Sequence, residues 1–271
     1  MSEEQALYVR DGDAFVGTAC TKGSWHDDGQ SGGAVLALLG HVLEDVPSLT
    51  EMSLSRLTVD IVRPVPVGQR LHVRPTIIRE GKKIQVVDFV VTTDGAEHVR
   101  ARALRLRDAD LTGLEDMPVA TTEHNPSATL PAPHELEGVD HHPGVADFLR
   151  LGAELRRTVE PVDGQHAAWV RLRVPVVAGE PVRTTSRTAL PMDCVNLIGL
   201  AARGDRPMRA SAINADVTAH VVRAPVGEWV ALTGHTYFAH GVGHGLSQAL
   251  MSDADGVIGV TSTSQLVQPL G

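Results

Sequence analysis

The apolar positions of this chain change period several times. Between Ser31 and Asp45 they fall at Val35, Leu36, Leu38, Leu39, Val42 and Leu43, nearly all the way round a helical wheel. That predicts a buried helix of about four turns with Ser31 as its N-cap. From about Met52 to Arg107 the period drops to two, clearest at Leu57, Val59 and Ile61 and again at Ala101 and Ala103. Four antiparallel strands follow from that pattern, with Asp94-Gly95 as a strong hairpin signal and Glu80-Gly81 as a weaker one. Residues 6–19 read as a hairpin around Asp11-Gly12. Periodicity is lost over residues 108–143, which carry Pro118, Pro126, Pro131, Pro133 and Pro143 and read as an extended connection. Beyond it the pattern predicts strands near 151–160 and 166–177, then a helix from about Thr188 to Ala202 with Pro191 in its first turn. Four more strands are expected at roughly 210–223, 228–239, 245–253 and 257–268.

The order of elements therefore occurs twice. Residues matching it recur at nearly one offset: Arg63 and Arg223 are 160 positions apart, as are Gly81 and Gly241, and Asp94-Gly95 is followed at 161 by Asp255-Gly256. A repeat this long is a duplicated domain and not a solenoid unit of about 20–50 residues. The predicted organisation is an N-terminal domain over residues 1–110, a Pro-rich linker over 111–143 and a C-terminal domain over 144–271. The class is α+β: in each copy a central helix is wrapped by a curved antiparallel sheet, the double hot-dog arrangement. A ligand site is expected where the copies meet.

Composition narrows the function. A formal net charge of −9 argues against nucleic acid as a partner. Aromatic residues are 3% of the chain, too few for base- or sugar-stacking platforms. Cys20 and Cys194 have no CxxC spacing and suit a reduced, cytoplasmic chain. The acidic start has no apolar stretch of a signal peptide, and Ala34 to Leu43 is too short to span a bilayer. His235, His240 and His244 lack zinc-ligand spacing, and there is no dinucleotide fingerprint, so neither a metal nor another cofactor is expected. Gly29–Gly33 fits G-x-S-x-G, but the strand and sheet that a nucleophile elbow needs are missing ahead of it.

Four segments resemble the acyl-CoA thioesterase II type of double hot-dog protein. They are Gly32-Gly33 at the start of the first helix, the strand Leu57–Pro64, the stretch from Asp216 through Arg223 to Glu228-Trp229, and Thr263–Val267 near the end. The resemblance implies hydrolysis of an acyl-CoA, in lipid metabolism, by a water held between an Asp, a Gln and a Thr or Ser. Carried onto this chain, it points to Asp216 as the water-activating carboxylate and Gln265 as the amide. The hydroxyl falls on Thr236 or, without a one-residue shift, on Tyr237. Asp216 and Gln265 have Arg56 and Leu104 as their partners in the first copy, so one site is expected to be kept and the other lost.

Thioester hydrolysis needs an oriented, partly deprotonated water and donors for the oxyanion. Asp193 is a second candidate carboxylate, read as lying in the first turn of the second helix, where it is equally a helix N-terminal charge. Gly32 and Gly33 leave a bare helix N-terminus that a carbonyl oxygen can approach, and close helix-to-sheet packing accounts for them equally. Asp216 is read as sharing a strand face with Asn214, Thr218 and His220. Two other readings stand beside hydrolysis: a non-catalytic acyl- or acyl-CoA-binding hot-dog protein, and a hot-dog enoyl-CoA hydratase. The last lacks support, because no Asp has a His five residues later. Exposed sheet faces make further assembly into a homo-oligomer an expectation.

Overall fold

The structure is a computed structural model, and it describes residues 5–24, 26, 28–112, 125–141, 145–162, 164–198 and 209–270. A short hairpin opens the chain, β1 (Tyr8–Asp11) and β2 (Ala14–Gly17). Helix α1 (Gly32–Asp45) follows, then four strands: β3 (Met52–Ile61), β4 (Arg70–Arg79), β5 (Ile84–Thr93) and β6 (Ala96–Arg107). After the proline-rich connection come β7 (Glu137–Gly138), β8 (Ala153–Arg157), β9 (His166–Leu172) and helix α2 (Thr184–Asp193). The chain ends with β10 (Ala210–Asn214), β11 (Asp216–Val221), β12 (Val230–Ala239), β13 (His244–Asp253) and β14 (Gly256–Pro269). Each copy is a helix wrapped by an antiparallel sheet, as the periodicity implied. Of the connection, residues 113–124 and 142–144 lie outside the described residues. The part that is described adds strand β7 to the edge of the second sheet, against β8.

The two sheets join through β3 and β11, where Thr58 faces Thr218. These two residues are themselves repeat mates at the 160 offset, so the pseudo-two-fold axis passes between them. The helices lie inside, antiparallel and in contact. A Cβ on Gly40 would fall 2.7 Å from the Thr185 carbonyl oxygen, while Gly32 meets Asp193 at the other end. One apolar core runs through both copies, from Leu36, Val59 and Phe89 to Leu190, Val217 and Leu232. No helix among the described residues is long and apolar enough to cross a membrane.

The repeated arginine holds a hairpin in each copy. Arg223 pairs with both carboxylate oxygens of the buried Asp253 and donates to the Gly256 carbonyl. Among the described residues Arg63 donates only to the Glu97 carbonyl. The hairpin marker itself is one residue out of step. Asp94 and Gly95 form the first turn with φ of 49° and 80°, whereas Asp253 and Gly256 already pair across the second. The structural equivalents of Asp94-Gly95 are therefore Ala254-Asp255.

Candidate active site

Helix α2 begins at Thr184, four residues ahead of the expected start, so Pro191 lies in its interior and not in its first turn. Proline has no N–H for the carbonyl one turn back and its ring crowds that position. The helix loosens at once into bonds of three-residue span: Cys194 N–H to Pro191 O, Leu197 N–H to Cys194 O and Ile198 N–H to Val195 O. Residues 199–202, expected to be helical, lie outside the described residues. Asp193 thus ends α2 and does not start it; after a turn at 194–195 the chain is helical again over 196–198, within the stretch expected to be helical. The carbonyls released there are buried, and side chains from the sheet take them. Thr261 Oγ1 donates to Met192 O at 2.9 Å, and Asn214 Nδ2 donates to Asp193 O at 3.0 Å.

Asn214 Nδ2 also donates to Asp193 Oδ1 at 2.8 Å, and its own Oδ1 accepts from Gln265 Nε2 at 3.1 Å. Asp193, Asn214 and Gln265 are 8%, 7% and 3% exposed, so this is an interior polar cluster. The Asp193 carboxylate lies against the N-terminus of α1 from the other copy, where a Cβ on Gly32 would fall 2.6 Å from Oδ1. Burial raises the Asp193 pKa above the ordinary carboxylate range, while Asn214 and the Gly33 N–H favour its charged form without cancelling that rise. Neither glycine faces a sheet residue, so close helix-to-sheet packing does not account for them: Gly32 faces the Asp193 carboxylate, and Gly33 faces Phe148 and the Leu190 carbonyl.

A cavity of about 1020 Å³ opens onto this cluster. Ser31, Gly32, Asp193 and Asn214 line it, and Val35, Leu36, Val65, Phe148 and Leu149 are among its apolar walls. Both copies line it, as expected for a site at their junction. Ser31 occupies the N-cap position of α1 but makes no side-chain cap bond.

The structure does not bring Asp216 to Gln265. Ala215 separates β10 from β11, so the alternation slips there, and Asn214 turns inward with Val217 and Ala219. Asp216 points to the outer face, opposite Asp60, and its Oδ1 accepts the Ser264 N–H at 2.7 Å. Asn214 and Asp216 therefore do not share a face, contrary to the alternation read from the sequence. Tyr237 is 52% exposed and lines no part of the cavity. Thr236 is connected at one remove: its Oγ1 is 2.7 Å from Ser247 Oγ, which accepts from Gln265 Nε2 at 3.0 Å. Sequence reasoning missed Asn214 as a site residue. The only signal for it was a polar residue two positions before Asp216, and the slip that turns it inward is invisible in the pattern.

The pseudo-symmetric position holds a different set. Leu54 faces Arg105 across β3 and β6 as Asn214 faces Gln265 across β10 and β14. The register mate of Gln265 is therefore Arg105 and not Leu104, because both strand pairs slip at the same place. Gly245 opposite Gln265 corresponds to Gln85 opposite Arg105. Asp193 corresponds to His41, each being ten residues into its helix. Arg105 fills the space, donating to Val46 O and Gln85 Oε1. The cavity there is only about 200 Å³. Among the described residues no cluster of three His, Cys, Asp or Glu side chains is placed to hold a metal ion.

Comparison with known proteins agrees with this architecture. Residues 21–106 match the acyl-CoA thioesterase N-terminal domain, and residues 115–267 match the acyl-CoA thioesterase C-terminal domain. A candidate thioesterase from Novosphingobium aromaticivorans superposes with a TM-score of 0.71 at 19% identity, covering 97% of this chain and 98% of that one. A hot-dog protein of unknown function from Alicyclobacillus acidocaldarius gives 0.67 at 14% identity, over 97% and 96%. The acyl-CoA thioesterase II TesB2 from Mycobacterium marinum gives 0.64 at 15% identity, over 98% and 95%. No curated protein matches the chain in sequence. With both family domains matched in order along most of its length, the chain belongs to the acyl-CoA thioesterase family.

Proposed function

We propose that this protein hydrolyses an acyl-CoA thioester by direct attack of water, with Asp193 as general base. The observation that carries the reading is the buried Asp193 carboxylate of one copy seated at the bare Gly32–Gly33 helix start of the other, in the wall of a large cavity. The raised pKa suits a base, because a more basic carboxylate takes a proton from water more readily. Asn214 holds that carboxylate and Gln265 holds Asn214.

In this mechanism water attacks the thioester carbon as Asp193 takes its proton. The oxyanion forms at the positive end of the α1 dipole, near the Gly32 N–H. Asp193 is neutral by then, so it does not repel the oxyanion. Collapse expels the CoA sulfur, to which Asp193 returns the proton, giving the free acid and CoA. The aliphatic walls suit the acyl chain. Steady-state assays on a panel of acyl-CoAs test the proposal. Turnover that Asp193→Asn abolishes supports it. Saturable binding of acyl-CoA with no release of free thiol would mean a binding protein instead.

A further inference from the structure

The inner face of the second sheet is polar where that of the first is apolar. Thr236, Ser247 and Thr263 lie side by side across β12, β13 and β14. Their register mates across β4, β5 and β6 are Ile77, Val87 and Ala103. Val87 and Ser247 are both 0% exposed, so the same framework position accepts an aliphatic side chain. The fold does not require a hydroxyl there. Only the copy that contributes Asp193, Asn214 and Gln265 has one.

The hydrogen bonds around Ser247 have a direction. Asn214 spends its Nδ2 on Asp193, so its Oδ1 faces Gln265 and needs a donor. Gln265 Nε2 supplies it, and its other hydrogen goes to Ser247 Oγ. Ser247 accepts there, and its Oγ also lies 2.7 Å from Thr236 Oγ1, a bond in which either hydroxyl can donate. Gln265 Oε1 is buried against Gly245 without a hydrogen-bond partner among the described residues. An orphaned buried carbonyl favours turning the amide over. The turned amide would present Oε1 to Asn214 Oδ1, two acceptors face to face. What opposes the turn is the bond from Nε2 to Asn214 Oδ1, and the bond to Ser247 holds the amide in place to make it.

We infer that Ser247 is a positioning residue for the reaction: with Thr236 behind it, its hydroxyl fixes the Gln265 amide so that Asn214 presents its donor to Asp193. The inference rests on the thioesterase reading above. Ser247 is not among the residues that line the cavity; it acts through Gln265.

The test is a double-mutant cycle on acyl-CoA turnover with wild type, Ser247→Val, Gln265→Ala and the double variant, with Ser247→Thr as the conservative control. Ser247→Val installs the residue that the other copy carries. It should lower kcat by about tenfold with KM within about twofold. Ser247→Thr should keep most of kcat, and the double variant should be no slower than Gln265→Ala alone. Unchanged kcat in Ser247→Val, or losses that multiply in the double variant, would overturn the inference while leaving the thioesterase reading intact. A wild type that turns over no acyl-CoA would overturn both. Should Ser247→Val not fold, Thr236→Val removes only the hydroxyl partner of Ser247. A fall in kcat at constant KM then supports the inference, and wild-type kcat overturns it.

Discussion

A Cβ on Gly32 would fall 2.6 Å from Asp193 Oδ1, so the bare start of α1 and the carboxylate ending α2 occupy one shared space. Gly32→Ala forces the carboxylate aside. Overpacking of this kind costs about 1–3 kcal/mol of stability. Turnover should fall further than stability explains, by about tenfold or more, because a misplaced base loses its geometry. Thermal melts and kcat measured on the same preparations separate the two effects.

Asn214→Leu installs the residue that the first copy carries at that place. It strands the Asp193 backbone carbonyl and one hydrogen of Gln265 Nε2, both buried. Each stranded group costs about 1–3 kcal/mol. Denaturant unfolding should show a lower midpoint, and turnover should be lost. Asn214→Asp should be still more damaging to stability, since it sets a second carboxylate against Asp193.

Burial raises the Asp193 pKa in the folded chain, against the pull of Asn214 and the Gly33 N–H. The sign follows from proton linkage: the folded state binds the proton more tightly than the unfolded one. This group's contribution to stability is full below its unfolded value, about 3.9, and is lost as pH rises through the folded value. The difference in melting temperature between wild type and Asp193→Asn should therefore shift toward the variant as pH rises through that window. A pH-independent difference would mean that the carboxylate is not held in a raised state.

Asp253 behaves in the opposite sense. Its burial pushes the pKa up, but Arg223 and the N–H groups of Val226 and Asp255 outweigh it and hold the group below its usual range. Its stabilisation is present above the unfolded value and is lost as pH falls through the folded one. Arg223→Ala leaves a carboxylate that is 1% exposed without its cation and should cost about 3–5 kcal/mol. Arg63→Ala, its exposed repeat mate, should cost less than about 1 kcal/mol. Urea unfolding of the two variants checks the contrast.

Much of this was legible in the chain. The buried helix from Gly32, the succession of elements along the chain and the 160-residue repeat follow from apolar periodicity and paired markers, which respond to the same burial that builds the core, whereas the pairing of β3 with β6 and β11, in place of β4, was not legible in that pattern. The site was harder to read. Asp216 looked central because the resemblance pointed to it, and strict alternation grouped it with Asn214, yet the slip at Ala215 sends the two to opposite faces. Asp193 was placed at a helix start because Pro191 usually marks one, whereas here the proline breaks a helix already under way. Local irregularities of this kind are set by what the backbone meets in three dimensions. Gln265 was found because the closing strand resembles the family's, and its mate in the first copy was displaced by one residue through a matching slip.

The most direct measurement is kcat for acyl-CoA hydrolysis by Asp193→Asn beside Asp216→Asn. Both substitutions keep shape and remove one negative charge. Loss of a general base lowers turnover by about 10²–10⁴, so Asp193→Asn should fall by that factor with little change in KM, while Asp216→Asn stays near wild type. A folded Asp193→Asn with wild-type kcat, or a collapse of turnover in Asp216→Asn alone, would contradict the assignment of Asp193 as the base.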